Sequence, residues 1–255
     1  NHITVFADPQ QQIFKEGASE LFILKALNLN KRNATLLEAY RNAPYVARLA
    51  SFFIADKDMK RQYLSQVCTE QKIRELPLCF VAPSFEKEMD RLVDIIRQRQ
   101  VMNERVGIIV PMNKQLHGMA KMLEERGIVV EKAIGRDSNG KKAASCDFGN
   151  STPKIATYHM AKGLTFDSVI LPRLVESSFP WLHGTARQRL IFVGIARSTQ
   201  WVYLSTVKGE EILEFDILRE AAKAGQASMQ YKSDLLGGNR WAKKNQEIDD
   251  NFSVL

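Results

Sequence analysis

The sequence is poor in the residues that would define several common chemistries. Its three cysteines, Cys68, Cys79 and Cys146, stand far apart and form neither a zinc pattern nor an even disulfide framework. A reducing, cytoplasmic compartment is therefore expected. Four histidines, at positions 2, 117, 159 and 183, show no His-x-x-His or His-Glu-x-x-His spacing, so a zinc hydrolase of that kind is not expected. No Gly-x-Ser-x-Gly nucleophile elbow is present. No apolar run approaches the length of a membrane span and no secretory signal opens the sequence, so no membrane association is expected. There is no internal repeat, and no Asp-Glu dipeptide anywhere.

What is present is an ordinary globular composition of 255 residues, 45% hydrophobic and 25% charged, with enough apolar mass for a substantial core. Basic residues outnumber acidic ones 36 to 29, giving a formal charge of +7 that is compatible with a phosphate-bearing partner.

Short β-rich apolar runs alternate with longer amphipathic stretches, the rhythm of an α/β protein with a parallel sheet covered by helices. Strands are expected over Ile3–Ala7, Lys25–Leu29, Leu78–Ala82, Val106–Val110, Ile128–Lys132, Lys154–Tyr158, Ser168–Leu171 and Trp201–Ser205. Helices are expected over Ala34–Ile54, Phe85–Gln100, Lys114–Arg126, Arg187–Ala196 and Gly209–Ala224. The run Gly107-Ile108-Ile109-Val110 is apolar on both faces, as buried parallel strands are. Two segments break the rhythm: a polar loop from Gly135 to Pro153, and Gln226 to Leu255, which reads as a tail or linker with at most one short helix.

Gly135-Arg136-Asp137-Ser138-Asn139-Gly140-Lys141-Lys142 nearly spells the phosphate-binding loop Gly-x4-Gly-Lys-[Ser/Thr]. Its last position must offer a hydroxyl to magnesium, and Lys142 offers a cation instead. No helix follows to direct its amino terminus at phosphates, because Pro153 arrives shortly after a polar turn. We read the segment as an exposed basic turn.

Four other segments occur in a telling order. Val5-Phe6-Ala7-Asp8-Pro9-Gln10-Gln11-Gln12-Ile13-Phe14 is a strand ending in a polar turn. Leu27-Asn28-Leu29-Asn30-Lys31-Arg32-Asn33-Ala34 leads into a helix. Ile155-Ala156-Thr157-Tyr158-His159-Met160-Ala161-Lys162-Gly163-Leu164-Thr165-Phe166 lies between two expected strands. A strand would deliver Thr157 and His159 to its carboxyl end, where ligands bind in open α/β sheets. A hydroxyl and an imidazole there can bond phosphate or sugar without reading bases, and Ala161 and Gly163 leave room for a close backbone. Arg187-Gln188-Arg189-Leu190-Ile191-Phe192-Val193-Gly194-Ile195-Ala196-Arg197-Ser198 closes the series, followed by the strand Trp201–Ser205.

These segments resemble motifs III, IV, V and VI of UvrD/Rep-like superfamily 1 DNA helicases, over about 200 residues in all. Motif V, Thr-x-His-x-Ala-Lys-Gly-Leu-Glu-Phe, is matched at the most positions. The resemblance implies the C-terminal, second RecA-like motor domain, a P-loop NTPase-type fold lacking its own P-loop. It places residues 1–14 in the last strand and motif III of the first motor domain, 15–225 in the second domain, and 226–255 in the tail.

It further implies roles. Gln11 would sense the terminal phosphate of ATP, and Arg32 and Arg197 would grip it, since a guanidinium stays charged and presents a planar fork to phosphate. Those three form the implied catalytic set, and Gly163 and Thr165 would join them in binding ATP. Thr157, His159, Lys162 and Gly163 would hold single-stranded DNA, with RNA left open. The sequence departs from the family at Ala7, at Lys31 (usually tyrosine), at Thr165 (usually glutamate) and at Ala196 (usually threonine). About 120 residues separate motifs IV and V, too few for the large helical insertion of the best-known members.

The implied whole is an ATP-dependent helicase, a hydrolase using ATP with Mg2+ bound between this domain and the N-terminal RecA-like domain of the same protein. Because neither a complete phosphate loop nor an Asp-Glu pair is present, the isolated chain is expected not to hydrolyse ATP. Two alternatives accompany this reading: a catalytically inactive nucleic-acid-binding or protein-interaction module, and the motor part of a nuclease-helicase or defence assembly.

Overall fold

A computed structural model describes residues 20–29, 42–65, 67, 75–133, 146–147 and 149–231. The expected strand Ile3–Ala7, Gln11, Arg32 and the near-phosphate-loop at 135–142 lie outside the described residues.

Helix α1 spans Glu20–Ala26, α2 Pro44–Ser51 and α3 Lys57–Ser65. Strand β1 (Leu78–Ala82) leads to α4 (Phe85–Val101), β2 (Val106–Val110) to α5 (Asn113–Glu125), and β3 is the pair Glu131–Lys132. Then come β4 (Lys154–Thr157), α6 (Tyr158–Ala161), β5 (Phe166–Leu171), a 3-10 turn at Glu176–Ser178, α7 (Gly184–Ile195), β6 (Ser198–Val207), α8 (Phe215–Lys223) and β7 (Ser228–Tyr231).

All seven strands join one sheet in the order β3-β4-β2-β5-β6-β1-β7, and every pairing is parallel. The strand interiors are apolar on both faces because helices cover both. On one face Cys79, Val81, Ile109, Val169, Val202 and Leu204 pack with residues of α2, α7 and α8 such as Leu49, Ile191 and Leu218. On the other, Phe80, Ile108, Ile155, Ile170 and Tyr203 meet Met89, Leu92, Leu116 and Met119 of α4 and α5. The alternation along each strand is the period-two consequence of the pleat.

Local chemistry starts the helices. Pro44 begins α2 with its fixed backbone angle. Ser84 caps α4, its hydroxyl accepting from Lys87 N, with Glu86 and Glu88 in the first turn. Glu88 is fully buried, and its carboxylate accepts from Arg173 N (2.8 Å), Arg173 Nη1 (3.1 Å) and Ser205 Oγ (2.7 Å). Three elements at the carboxyl edge of the sheet are thereby tied to one buried charge.

The structure corrects five expectations, one of them Gly209–Ala224, which is helical only over Phe215–Lys223. Lys25–Leu29 is no strand: Lys25 and Ala26 end α1, and the chain stops in a Schellman motif, with Leu29 N bonded to Leu24 O (2.8 Å), Asn28 N to Lys25 O (3.1 Å) and Asn28 at φ 53°. Five apolar-rich residues do not distinguish a strand from a helix end. Of Ala34–Ile54, the described part is helical only from Pro44 to Ser51. Of Ile128–Lys132, only Glu131 and Lys132 pair in the sheet. Finally, Ser228–Tyr231 is not tail: it pairs with Leu78–Val81 and extends the folded unit past residue 225.

Candidate functional site

Val110 of β2 pairs with Thr157 of β4, so both strands end together at the carboxyl edge of the sheet. Thr157 is buried there, and its Oγ1 accepts from Met160 N at 3.3 Å, capping the single turn of α6. That hydroxyl is engaged by the backbone rather than presented outward. Tyr158 and Ala161 point into the core, while His159, Lys162 and Gly163 are exposed. Burial, and after it the charge of Lys162, hold the His159 imidazole below its ordinary pKa. Gly163 lies at φ 91°, a conformation glycine adopts freely, and the space beside it is open.

Two buried contacts set the height of this turn. The Tyr158 ring packs on Phe179 with centroids 6.4 Å apart. It also passes over Gly194 of α7 so closely that a Cβ there would lie 2.6 Å from Tyr158 Cε1. Motif V is thus seated directly on motif VI through a glycine.

The loop after β5 is fixed as firmly. Arg187, fully buried on α7, binds both carboxylate oxygens of Glu176 (2.7 and 2.9 Å), and its Nε lies 2.6 Å from Glu214 Oε2. These contacts hold the Glu176 carboxyl below the usual range. On the other side, Gln115 at the start of α5 accepts from Met112 N (3.1 Å) and donates to Ser178 O (3.0 Å). The loops following β2, β4 and β5 are therefore one assembly.

After Gly163 the chain returns to the opposite edge. Thr165, partly exposed, immediately precedes β5, and Phe166 N donates to Arg197 O at 3.0 Å. Thr165 and Arg197 thus share the amino edge, separated from Thr157 by the length of β4, about 10 Å for four residues. Arg197 is buried, 1% exposed, and its Nε donates to Val193 O at 3.2 Å. Asn42 grips the backbone on either side of it, its amide nitrogen donating to Ala196 O (3.2 Å) and to Ser198 O. Ala43 N adds a bond to Thr199 O at 2.7 Å.

Thr165 borders a shallow depression with Phe166, Arg105, Asn150 and Lys154. Its cations are already partnered: Arg105 makes a forked contact with Asp167 (3.0 and 3.1 Å), and Lys154 lies 3.1 Å from Glu131. Arg105 holds the Asp167 carboxyl below its ordinary range, and a hydrogen bond from Asn150 does the same, first among its causes, for Glu131. Among the described residues this edge carries partly exposed Thr165 and the buried Arg197 guanidinium. No group of three or more His, Cys, Asp or Glu among the described residues could hold a metal ion.

Of the residues singled out in the sequence, the structure brings Thr157, His159, Lys162 and Gly163 together at one end of motif V, and Thr165 and Arg197 together at the other edge. Gln11 and Arg32 fall outside the described residues. Sequence reasoning missed Asn42, Gln115 and Trp181, whose importance rests on contacts or exposure that no spacing encodes.

A parallel seven-stranded sheet covered by helices on both faces is a RecA-like α/β fold. Residues 138–209, which contain the segments resembling motifs V and VI, match the family model of the UvrD-like helicase C-terminal domain. The chain is similar in structure to the C-terminal domain of a possible DNA helicase from Lactobacillus plantarum WCFS1, with a TM-score of 0.55 and 19% identity, covering 75% of this chain and 98% of that one. Weaker similarities are to the Pyrococcus furiosus Hef helicase domain (TM-score 0.31, 18% identity, 48% of this chain and 26% of that one) and to arterivirus nonstructural protein 10, a helicase, with DNA (0.37, 8%, 61% and 35%). No curated protein matches the sequence. No helix among the described residues is long and apolar enough to cross a membrane.

Proposed function

We propose that the chain is the C-terminal motor domain of an ATP-dependent superfamily 1 helicase or translocase acting on single-stranded DNA. The observation that carries this reading is the division of the motif residues between two edges of one sheet. His159, Lys162 and Gly163 are exposed at the carboxyl side, suited to a sugar-phosphate backbone, while Thr165 and Arg197 meet at the amino side. A nucleotide bound against the amino edge and a strand bound against the carboxyl edge would be linked through Tyr158, whose ring joins motif V to motif VI.

In such a motor the described residues do three things. Arg197 supplies positive charge where the terminal phosphates develop negative charge, a contribution that preorganised donors make without reorganisation. Asn42 holds the carbonyls flanking Arg197 and so fixes its backbone. His159 and Lys162 position the strand without reading its sequence. ATP with Mg2+ would be completed by a first RecA-like domain carrying the phosphate loop.

A second reading is favoured by one observation, the burial of Arg197. A guanidinium 1% exposed and bonded to Val193 O does not reach into a cleft as it stands, as a non-catalytic nucleic-acid-binding module would allow. Two measurements separate the readings. The purified 255-residue chain should bind a single-stranded oligonucleotide with a salt-dependent affinity that Lys162→Ala weakens and whose log-log salt slope it reduces by roughly 0.7. In the complete protein, Arg197→Ala should abolish DNA-stimulated ATP turnover. Binding that survives together with unchanged turnover selects the non-catalytic module, and no binding at all overturns both.

A further inference from the structure

Trp181 is 86% exposed, although a large aromatic ring gains most from burial. It does not sit on a loose excursion. Two residues earlier Phe179 is buried against Tyr158, Leu182 N returns to Phe179 O at 3.1 Å, and Leu182 packs on the core. Glu176 is clamped by Arg187, and Ser178 O is held by Gln115. The loop is thus anchored on both sides of Trp181, and the indole is the part left outside.

The surroundings indicate what the ring meets. Tyr158, on which Phe179 rests, is followed by exposed His159, and Gln115, which holds the loop, is preceded by exposed Lys114. Lys162 and His183 are exposed on the same connections. The carboxylate of this loop, Glu176, is bonded to buried Arg187. An exposed indole on an anchored loop, with exposed Lys114 and Lys162 on the connections packed against that loop, suits a polyanion that also carries flat apolar rings. Aromatic platforms beside a basic track are how single strands are bound without sequence preference. A protein partner's apolar face would not need the neighbouring lysines.

We infer that Trp181 is a base-stacking residue for single-stranded DNA, placed beside the motif V turn so that His159 and Lys162 meet the backbone while the indole meets a base. This rests on the proposed strand-binding role of that edge. The indole adds affinity that is tolerant of base identity, because every base has a flat face.

The test measures binding of the full 255-residue chain to two oligonucleotides of equal length, oligo(dT) and an abasic strand of the same charge. Trp181→Ala should weaken oligo(dT) binding about tenfold and leave abasic binding unchanged, while Trp181→Phe should keep most of the affinity. Unchanged oligo(dT) binding by Trp181→Ala, or an equal loss on both strands, overturns the stacking role. If the wild-type chain binds neither strand, the strand-binding reading of this edge fails, and Trp181 must serve a protein partner instead.

Discussion

Replacing Gly194 with alanine should unseat motif V from motif VI. The added Cβ would lie 2.6 Å from Tyr158 Cε1 and 3.1 Å from Leu171 Cδ2. The Tyr158 ring is fully buried and packed on Phe179, so it cannot swing aside as an exposed side chain would. Overpacking of this kind costs about 1–3 kcal/mol, and the rigidity of the ring argues for the upper end. Gly118, within α5, is the control, since a Cβ there meets nothing within 4 Å. Glycine to alanine in an open helical position stabilises by about 0.5–1 kcal/mol. The two variants should therefore differ by about 3 kcal/mol, which for a domain of this size separates their melting temperatures by about 6–12 °C. Differential scanning calorimetry reads this directly. The double variant Gly194→Ala with Tyr158→Leu should lose less than the sum of the single losses, because the clash disappears with the ring. Equal melting temperatures for Gly194→Ala and Gly118→Ala would refute the reasoning.

Asn42→Ala should lower stability by about 1–3 kcal/mol, by leaving two buried carbonyls beside Arg197 without their donor, seen as a reduced urea midpoint at constant slope. Glu214→Gln should cost about 3 kcal/mol in the same assay, because buried Arg187 keeps only the half-exposed Glu176 as an ionised partner. The Asp167 carboxyl is held below its ordinary range, so its stabilising contribution is present above about pH 4 and is lost as the pH falls through the folded-state value. Acid titration followed by circular dichroism should show a shallower acid limb for Asp167→Asn. The His159 imidazole starts below its ordinary pKa and a phosphodiester beside it favours the protonated form, so strand affinity should rise as the pH drops below about 6.5. His159→Gln should flatten that dependence in fluorescence anisotropy titrations.

The central strands β1, β2, β5 and β6 were legible because each is a short run buried on both faces, and α4 and α5 because their apolar stripes recur at helical spacing. The errors fall where that signal fails. Lys25–Leu29 is apolar enough for a strand, yet Asn28 in the left-handed region closes a helix. Ser228-Met229-Gln230-Tyr231 has no apolar pattern, since an edge strand only partly buried needs none and is held by pairing with β1. The turn α6 has four residues, too few to show periodicity.

At the site, motif spacing named His159, Lys162, Gly163, Thr165 and Arg197 as candidates, and the structure adds that the first three are exposed and that the backbone beside Thr165 bonds Arg197. It did not reveal that Thr157 uses its hydroxyl on Met160 N, or that Arg197 is buried. Those facts depend on what packs over a side chain. Asn42 and Gln115 were invisible for a related reason, because each acts through a carbonyl more than 60 positions away in the chain.

The central claim is that one sheet carries a nucleotide-facing amino edge and a strand-facing carboxyl edge. The most direct measurement compares Arg197→Ala with Lys162→Ala in the complete protein, following both ATP turnover at saturating single-stranded DNA and affinity for that DNA. Arg197→Ala should lower turnover about a thousandfold and leave affinity near wild type, as loss of a finger arginine does. Lys162→Ala should weaken affinity and leave saturated turnover largely intact. If Arg197→Ala leaves turnover unchanged, or if both variants lose affinity and turnover in parallel, the assignment of separate roles to the two edges is wrong.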